Sequence, residues 1–147
     1  GIDIQGTFDA WLWKLEAIHR SGQNESFFAS AAGFEYTFFD VQDSGMDLGL
    51  LSEYLYDERD SLTANNNDLS AGVRLSLNDI NSTELLAAVV QDLDNQSRFF
   101  LVEASRRIGN DYRLSIEARG VNNVAEQDPL QSLARDNYLQ LELGYYF

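Results

Sequence analysis

Few residues in this chain have the type and spacing to do chemistry. His19 is the only histidine, and there is no cysteine. Ser21 and Ser52 are hydroxyls that a serine–histidine site could draw on, but neither stands in a nucleophile motif. The plain reading of His19 is an interfacial histidine at a strand end. Without cysteine, disulfides, thiolate metal ligands and thiol nucleophiles are excluded. Asp92, Asp94 and Asn95, and the segment 65–68, offer oxygen ligands of the kind calcium takes. Neither completes the glycine and terminal-glutamate spacing of an EF-hand loop. They read as solvated acidic loops that attract divalent cations weakly. No catalytic residue, metal or cofactor is expected, and the chain is read as something other than an enzyme.

The remaining charges are more regular. Lys14, Glu16, Glu35, Glu53, Asp57, Arg74, Glu84, Asp92, Glu103, Arg107, Arg113, Glu117, Arg119 and Glu142 fall on one side of segments whose side chains alternate with period two. The elements that must carry them are therefore strands. The periodicity predicts eight, at roughly 7–19, 27–39, 46–57, 69–78, 83–92, 99–107, 111–121 and 137–147. Turn formers separate them: 21–24, 43–45, 65–68, 78–81 and 109–111, with long polar loops at 61–68 and 122–136. The connections alternate between longer and shorter, the rhythm of an up-and-down barrel with short periplasmic turns. An even strand count puts both termini on the periplasmic side. Gly33, Gly49, Gly72 and Gly144 inside strands suggest kinks or close packing against large side chains.

Composition narrows the partners. There are 24 acidic and 10 basic residues, a net charge of −14, which argues against a nucleic-acid surface. No apolar run is long enough for a transmembrane helix, but a barrel strand needs only about ten alternating residues. No signal peptide is visible at the start of the chain.

Alternation alone also fits a soluble ligand-binding β-barrel with its apolar face inward. Two features favour lipid. Trp11, Trp13, Tyr36, Phe38, Tyr112, Tyr145 and Phe147 are expected near one rim, and Phe28, Tyr54, Tyr56 and Phe100 near the other. The apolar positions between them are aliphatic or small, which is how lipid interfaces sort aromatic rings. The apolar side is also nearly free of charge, with Arg106 the main exception. An Arg or Lys at a bilayer midplane costs about 2–4 kcal/mol. The expected fold is all-β: one antiparallel up-and-down transmembrane β-barrel domain spanning 1–147. Leu86, Val90 and Leu101 fit less cleanly, since they fall on the polar side.

The end of the chain carries a resemblance. Leu139, Leu141, Leu143, Tyr145 and the final Phe147 occupy every second position. This pattern resembles the closing strand of bacterial outer-membrane β-barrel proteins. The resemblance implies that the barrel-assembly machinery reads this strand, that the chain ends here, and that the protein sits in the outer membrane facing lipid and lipopolysaccharide. Segments 33–38, 47–57 and 103–107 also look like the C-terminal portion of longer outer-membrane proteins. The expected function is a membrane barrel with a polar, charge-paired lumen, acting as a structural membrane protein or a narrow passage for small solutes and ions. The alternatives are the C-terminal part of a wider porin or transporter barrel, a lipid-modifying barrel enzyme, and a soluble ligand-binding barrel.

Overall fold

The computed structural model of the chain describes residues 1–22, 25–59, 62–63, 66–126 and 128–147. Parts of the predicted turns at 21–24 and 61–68 lie outside them. Among the described residues nine strands form a single sheet in sequence order, each antiparallel to the next. They are β1 (Ile2–Phe8), β2 (Trp11–Arg20), β3 (Phe27–Phe38), β4 (Asp47–Asp57), β5 (Asn67–Ser76), β6 (Glu84–Asp92), β7 (Arg98–Ile108), β8 (Tyr112–Asn122) and β9 (Tyr138–Tyr145). Among the described residues β1 pairs only with β2, and β9 only with β8, so the sheet has two free edges.

The count corrects the expected eight. The predicted first strand, 7–19, is broken at Asp9 and Ala10, and residues before it form β1. Phe8 stands opposite Trp11 across this two-residue turn, with Asp9 at φ 49°. Aspartate enters the left-handed region more cheaply than most side chains, so it turns the chain without a glycine. The turn therefore lacks the usual Asn-Gly or Asp-Gly signal. An odd strand count also places the outer ends of β1 and β9 at opposite rims, against the expectation that both termini share one.

Two other expectations change. The predicted strand 69–78 starts at Asn67 and stops at Ser76. Asn78 takes φ 50°, and its side-chain amide donates to the Gly45 carbonyl and to Asp47, both at 2.9 Å. The alternation in connection length is also not kept. The rim bearing the β1–β2 turn, called lower here, carries 39–46 and 77–83, which are longer than 21–26 and 93–97 at the upper rim. The lower connections are folded on themselves. Val41–Asp43 forms a 3-10 turn, and Asp79 accepts from the Thr83 amide at 2.8 Å and its hydroxyl at 2.9 Å.

Register keeps the two faces in phase across the sheet. The row that starts at Trp11 runs through Tyr36, Leu50, Val73, Ala87, Val102 and Ala118 to Leu139. Every member is apolar or aromatic. The row begins at the foot of β2 and ends near the head of β9, so the strands are staggered, as rolled sheets require.

The polar face is the more enclosed one. Asp57, Asp68 and Asp92 lie on it and are buried, whereas Trp13, Leu50, Val73 and Leu141 on the other face are exposed. Glycines mark the closest approaches. A Cβ on Gly33 would come within 2.9 Å of the Ser52 carbonyl oxygen and 3.1 Å of Glu53 Cβ, and one on Gly49 within 3.0 Å of Glu35 Oε1. Gly72 meets Ala88, and Gly144 meets the Tyr146 ring, at similar range.

Two outcomes follow from this packing. Gly33→Ala should cost about 1–3 kcal/mol in denaturant unfolding, the usual range for overpacking, because the neighbouring atom is backbone. Hydrogen bonds from Thr83 hold the Asp79 carboxyl below its ordinary pKa. A depressed folded-state value means the turn gains stability above the unfolded aspartate pKa and loses it as pH falls through the folded one. The Thr83 amide resonance should therefore titrate with a midpoint below that of a free aspartate; a midpoint at or above it would contradict the contact.

Candidate functional site

The most distinctive feature is the distribution of burial. Among the described residues no hydrophobic side chain is buried. The buried side chains belong to Asp57, Asp68, Asp92, Ser97 and Asp128. A water-soluble domain has the opposite arrangement, because apolar burial supplies most of its folding free energy.

The apolar face is continuous. Leu15, Ala32, Phe34, Ala71, Val89, Ile116 and Leu143 lie on it with the rows already described. Among the described strand residues its only ionisable side chains are His19 and Arg98 towards the upper rim and Arg106 towards the lower, besides tyrosines. The aromatic residues singled out in the sequence that lie within strands all fall on this face, mostly near strand ends. Trp11 and Trp13 stack with centroids 5.2 Å apart, and Trp11 meets Tyr36 at 4.6 Å. Tyr36 in turn meets Phe38 at 4.7 Å. At the far side of the lower rim Tyr112 packs on Tyr145 at 5.1 Å, and Tyr145 on Phe147 at 5.9 Å. At the upper rim Phe28 approaches Tyr56 at 6.4 Å, and Tyr54 donates its hydroxyl to Asn67 at 2.8 Å. Phe100 stands near the start of β7 at the same rim. Leu139, Leu141, Leu143 and Tyr145 share this face on β9, while Phe147 lies past the end of the strand.

The polar face holds the predicted charged residues. Lys14 and Glu53 meet at 2.6 Å across Gly33, which leaves the intervening strand without a side chain. Arg74 reaches Glu35 at 3.0 Å past Gly49. Arg119 pairs with Glu117 at 2.8 Å, and Glu117 also accepts from the Tyr138 hydroxyl. Asp57 is held by Arg59, a partner from the adjoining connection that the alternation pattern did not point to. Register also sets like charges opposite each other: Glu103 faces Glu117, and Arg107 faces Arg113. Such pairs repel. Arg119 offsets the first, and Arg113 turns to the Ser105 hydroxyl at 2.9 Å in the second. Among the described residues Glu16, Glu84, Glu103 and Glu142 have no ion-pair partner.

A groove of about 630 Å³ opens on this face, lined by Arg74, Glu84, Glu103, Arg113 and Glu117 among others. Towards the upper rim, Leu55, Val90, Phe99, Leu101 and Val121 form a partly covered apolar patch on the same face. This explains why Val90 and Leu101 broke the alternation; Leu86 instead lines the groove, between Arg74 and Glu103.

Other sequence candidates are not brought together. His19 stands opposite Phe28, while Ser52 stands opposite Phe34, about 20 Å further along the strands at roughly 3.3 Å per residue. The Ser52 hydroxyl donates to the Ser70 carbonyl at 3.0 Å. In the acidic loop, Asp92 accepts from the amides of Asp94 and Asn95 at 2.7 and 2.9 Å, and Asn95 donates to Asp128 at 3.0 Å. Among the described residues no group of three or more carboxylates or imidazoles is arranged to hold a metal ion. Asn65 of the second oxygen-rich segment lies outside them. Asp68, only 2% exposed, keeps one carboxylate oxygen without a hydrogen-bond partner.

No protein-family model matches the chain, and neither a curated protein nor a solved structure resembles it closely enough to count as a match.

Proposed function

We propose that this chain forms the wall of a bacterial outer-membrane β-barrel, its apolar face against acyl chains and its polar face lining a lumen for small solutes and ions. One observation carries this reading: the large hydrophobic side chains lie exposed on a face with almost no charge, while the buried side chains are polar. A Leu or Phe moved from water into an apolar medium contributes about 1.5–3 kcal/mol. Exposed in water, Leu50, Val73, Leu141 and their neighbours contribute little; against lipid they become the main source of stability. The stagger of the strands and the aromatic side chains near strand ends fit the same picture.

The edges favour a wall that belongs to a wider barrel. A bilayer core supplies no hydrogen-bond partners, so an open strand edge is not tolerated there. In a nine-stranded meander β1 and β9 run in the same direction, and joining them directly would make a parallel seam. An odd number of further strands makes every seam antiparallel and gives the even count common in bacterial barrels. In such a barrel the polar face meets water. Its unpaired groups include Glu16, Glu84, Glu103 and Glu142 against Arg107 and Arg113, an acidic balance that favours cations. Assembly machinery, phospholipid and lipopolysaccharide are the partners this reading entails.

Three measurements test it. The purified protein should need detergent or vesicles to stay monodisperse; a stable monomer in plain buffer would reject membrane residence. Val73→Arg should destabilise the vesicle-inserted protein by about 2–4 kcal/mol; a surface change in water would cost almost nothing. In planar bilayers the protein should carry a cation-preferring current, and joint Glu84→Gln, Glu103→Gln and Glu142→Gln replacement should reduce that preference severalfold. The absence of current would reject the open lumen and leave a plugged, structural barrel.

A further inference from the structure

Arg106 is the cation that the sorting of faces does not account for. It lies on the apolar face near the end of β7, opposite Leu114. Its side chain is about half exposed, and its nearest carboxylate, Asp79, is 3.9 Å away. That carboxylate already accepts hydrogen bonds from the Thr83 amide and hydroxyl. The guanidinium therefore keeps most of its donors.

Beside it runs an open groove of about 310 Å³, lined by Leu75, Leu85, Ala104, Leu114 and Ile116 with Arg106 on its rim side. Register explains the groove. Ala104 stands between Leu85 on one neighbour and Ile116 on the other, so a small side chain sits in a row of large ones. The result is an apolar hollow across β5 to β8, with a cation on its rim side, where headgroup phosphates lie in a membrane.

We propose that this hollow is a specific binding site for an anionic phospholipid, with one acyl chain laid over Ala104 and the phosphate held by Arg106. The inference rests on the membrane reading and deepens it by assigning a ligand to one place on the lipid-facing surface. Charge selects the occupant: a neutral alkyl chain would fill the hollow but leave Arg106 without an anion, and guanidinium–phosphate hydrogen bonds are charge-assisted and bidentate. Arg98, the other arginine of this face, donates to Gln91 at 2.5 Å at the opposite rim and has no equivalent role.

The experiment uses the protein inserted in vesicles of equal phosphatidylglycerol and phosphatidylcholine, extracted into mild detergent and weighed intact by native mass spectrometry. The wild type should retain one phosphatidylglycerol in preference to phosphatidylcholine by about tenfold, a difference of roughly 1.4 kcal/mol. Arg106→Gln should abolish the preference, Ala104→Leu should reduce retention of both lipids, and Asp79→Asn should raise phosphatidylglycerol retention. Arg98→Gln should leave the wild-type pattern. Soluble glycerol phosphate should not displace the lipid; displacement would mean a simple anion site and overturn the proposal. Equal retention by wild type, Arg106→Gln and Ala104→Leu would also overturn it, although the protein had inserted. Failure of the wild type to enter vesicles would overturn the membrane reading as well.

Discussion

The whole arrangement depends on the hydrogen-bond ladder holding one register through all nine strands. Side chains alternate with period two, so a slip of one residue in any pair would exchange the faces of everything beyond it. Between β4 and β5 a slip would bring Arg74 into line with Leu50 instead of Gly49. It would also carry Glu84, Glu103 and Glu117, further along the sheet, to the apolar side. The ladders from Ile2 to Tyr145 show no such exchange: each apolar residue faces another position of the same face. Backbone pairing fixes the strands, and the hydrophobic pattern decides which of the two registers is kept.

The polar face has its own difficulty, since it brings charged side chains close together. Glycine and ion pairing resolve it together. Gly33 removes a side chain where Lys14 and Glu53 must meet, and Gly49 does the same beside Glu35 and Arg74. Ion pairs that skip a strand draw β2 towards β4 and β3 towards β5, while the like-charged neighbours Glu103 and Glu117 repel. The half of the face built from β6 to β9 therefore holds fewer ion pairs than the half built from β2 to β5. The acidic excess on both halves is what gives the lumen of the proposed barrel a charge preference.

Much of this was legible in the sequence, and what was missed has physical causes. β2 to β5, β8 and β9 were legible because their alternation is strong; Leu139, Leu141 and Leu143 on one side and Gln140 and Glu142 on the other admit a single reading, whereas β6 and β7 were read through the breaks at Leu86, Val90 and Leu101. β1 was not, because Asp9 turns the chain without the glycine that usually announces a hairpin, and Gly6 interrupts the apolar side of a short strand. The charged positions were legible as a face, but their pairings were not. Whether Lys14 meets Glu53 or Glu35 depends on register between strands far apart in sequence, which composition does not encode. The pairing of Arg59 with Asp57 was hidden for another reason: it arises in a connection, where periodicity carries no information. The hollow at Ala104 was equally hidden, since a small residue in an alternating strand becomes a groove only when Leu85 and Ile116 are known to flank it.

The free edges connect the local chemistry to the size of the assembly. β1 carries Ile2, Ile4 and Phe8 on the apolar side and Asp3, Gln5 and Thr7 on the other, the same alternation as the paired strands. It lacks the lysine, proline or bulge with which soluble proteins protect an edge. β9 likewise keeps its alternation to the end. Both edges are built like strands in the interior of a sheet, and in a bilayer each unpaired amide and carbonyl would cost several kcal/mol. In the proposed membrane setting the displayed leucines and the open edges share one physical cause: an apolar solvent would reward the first and penalise the second.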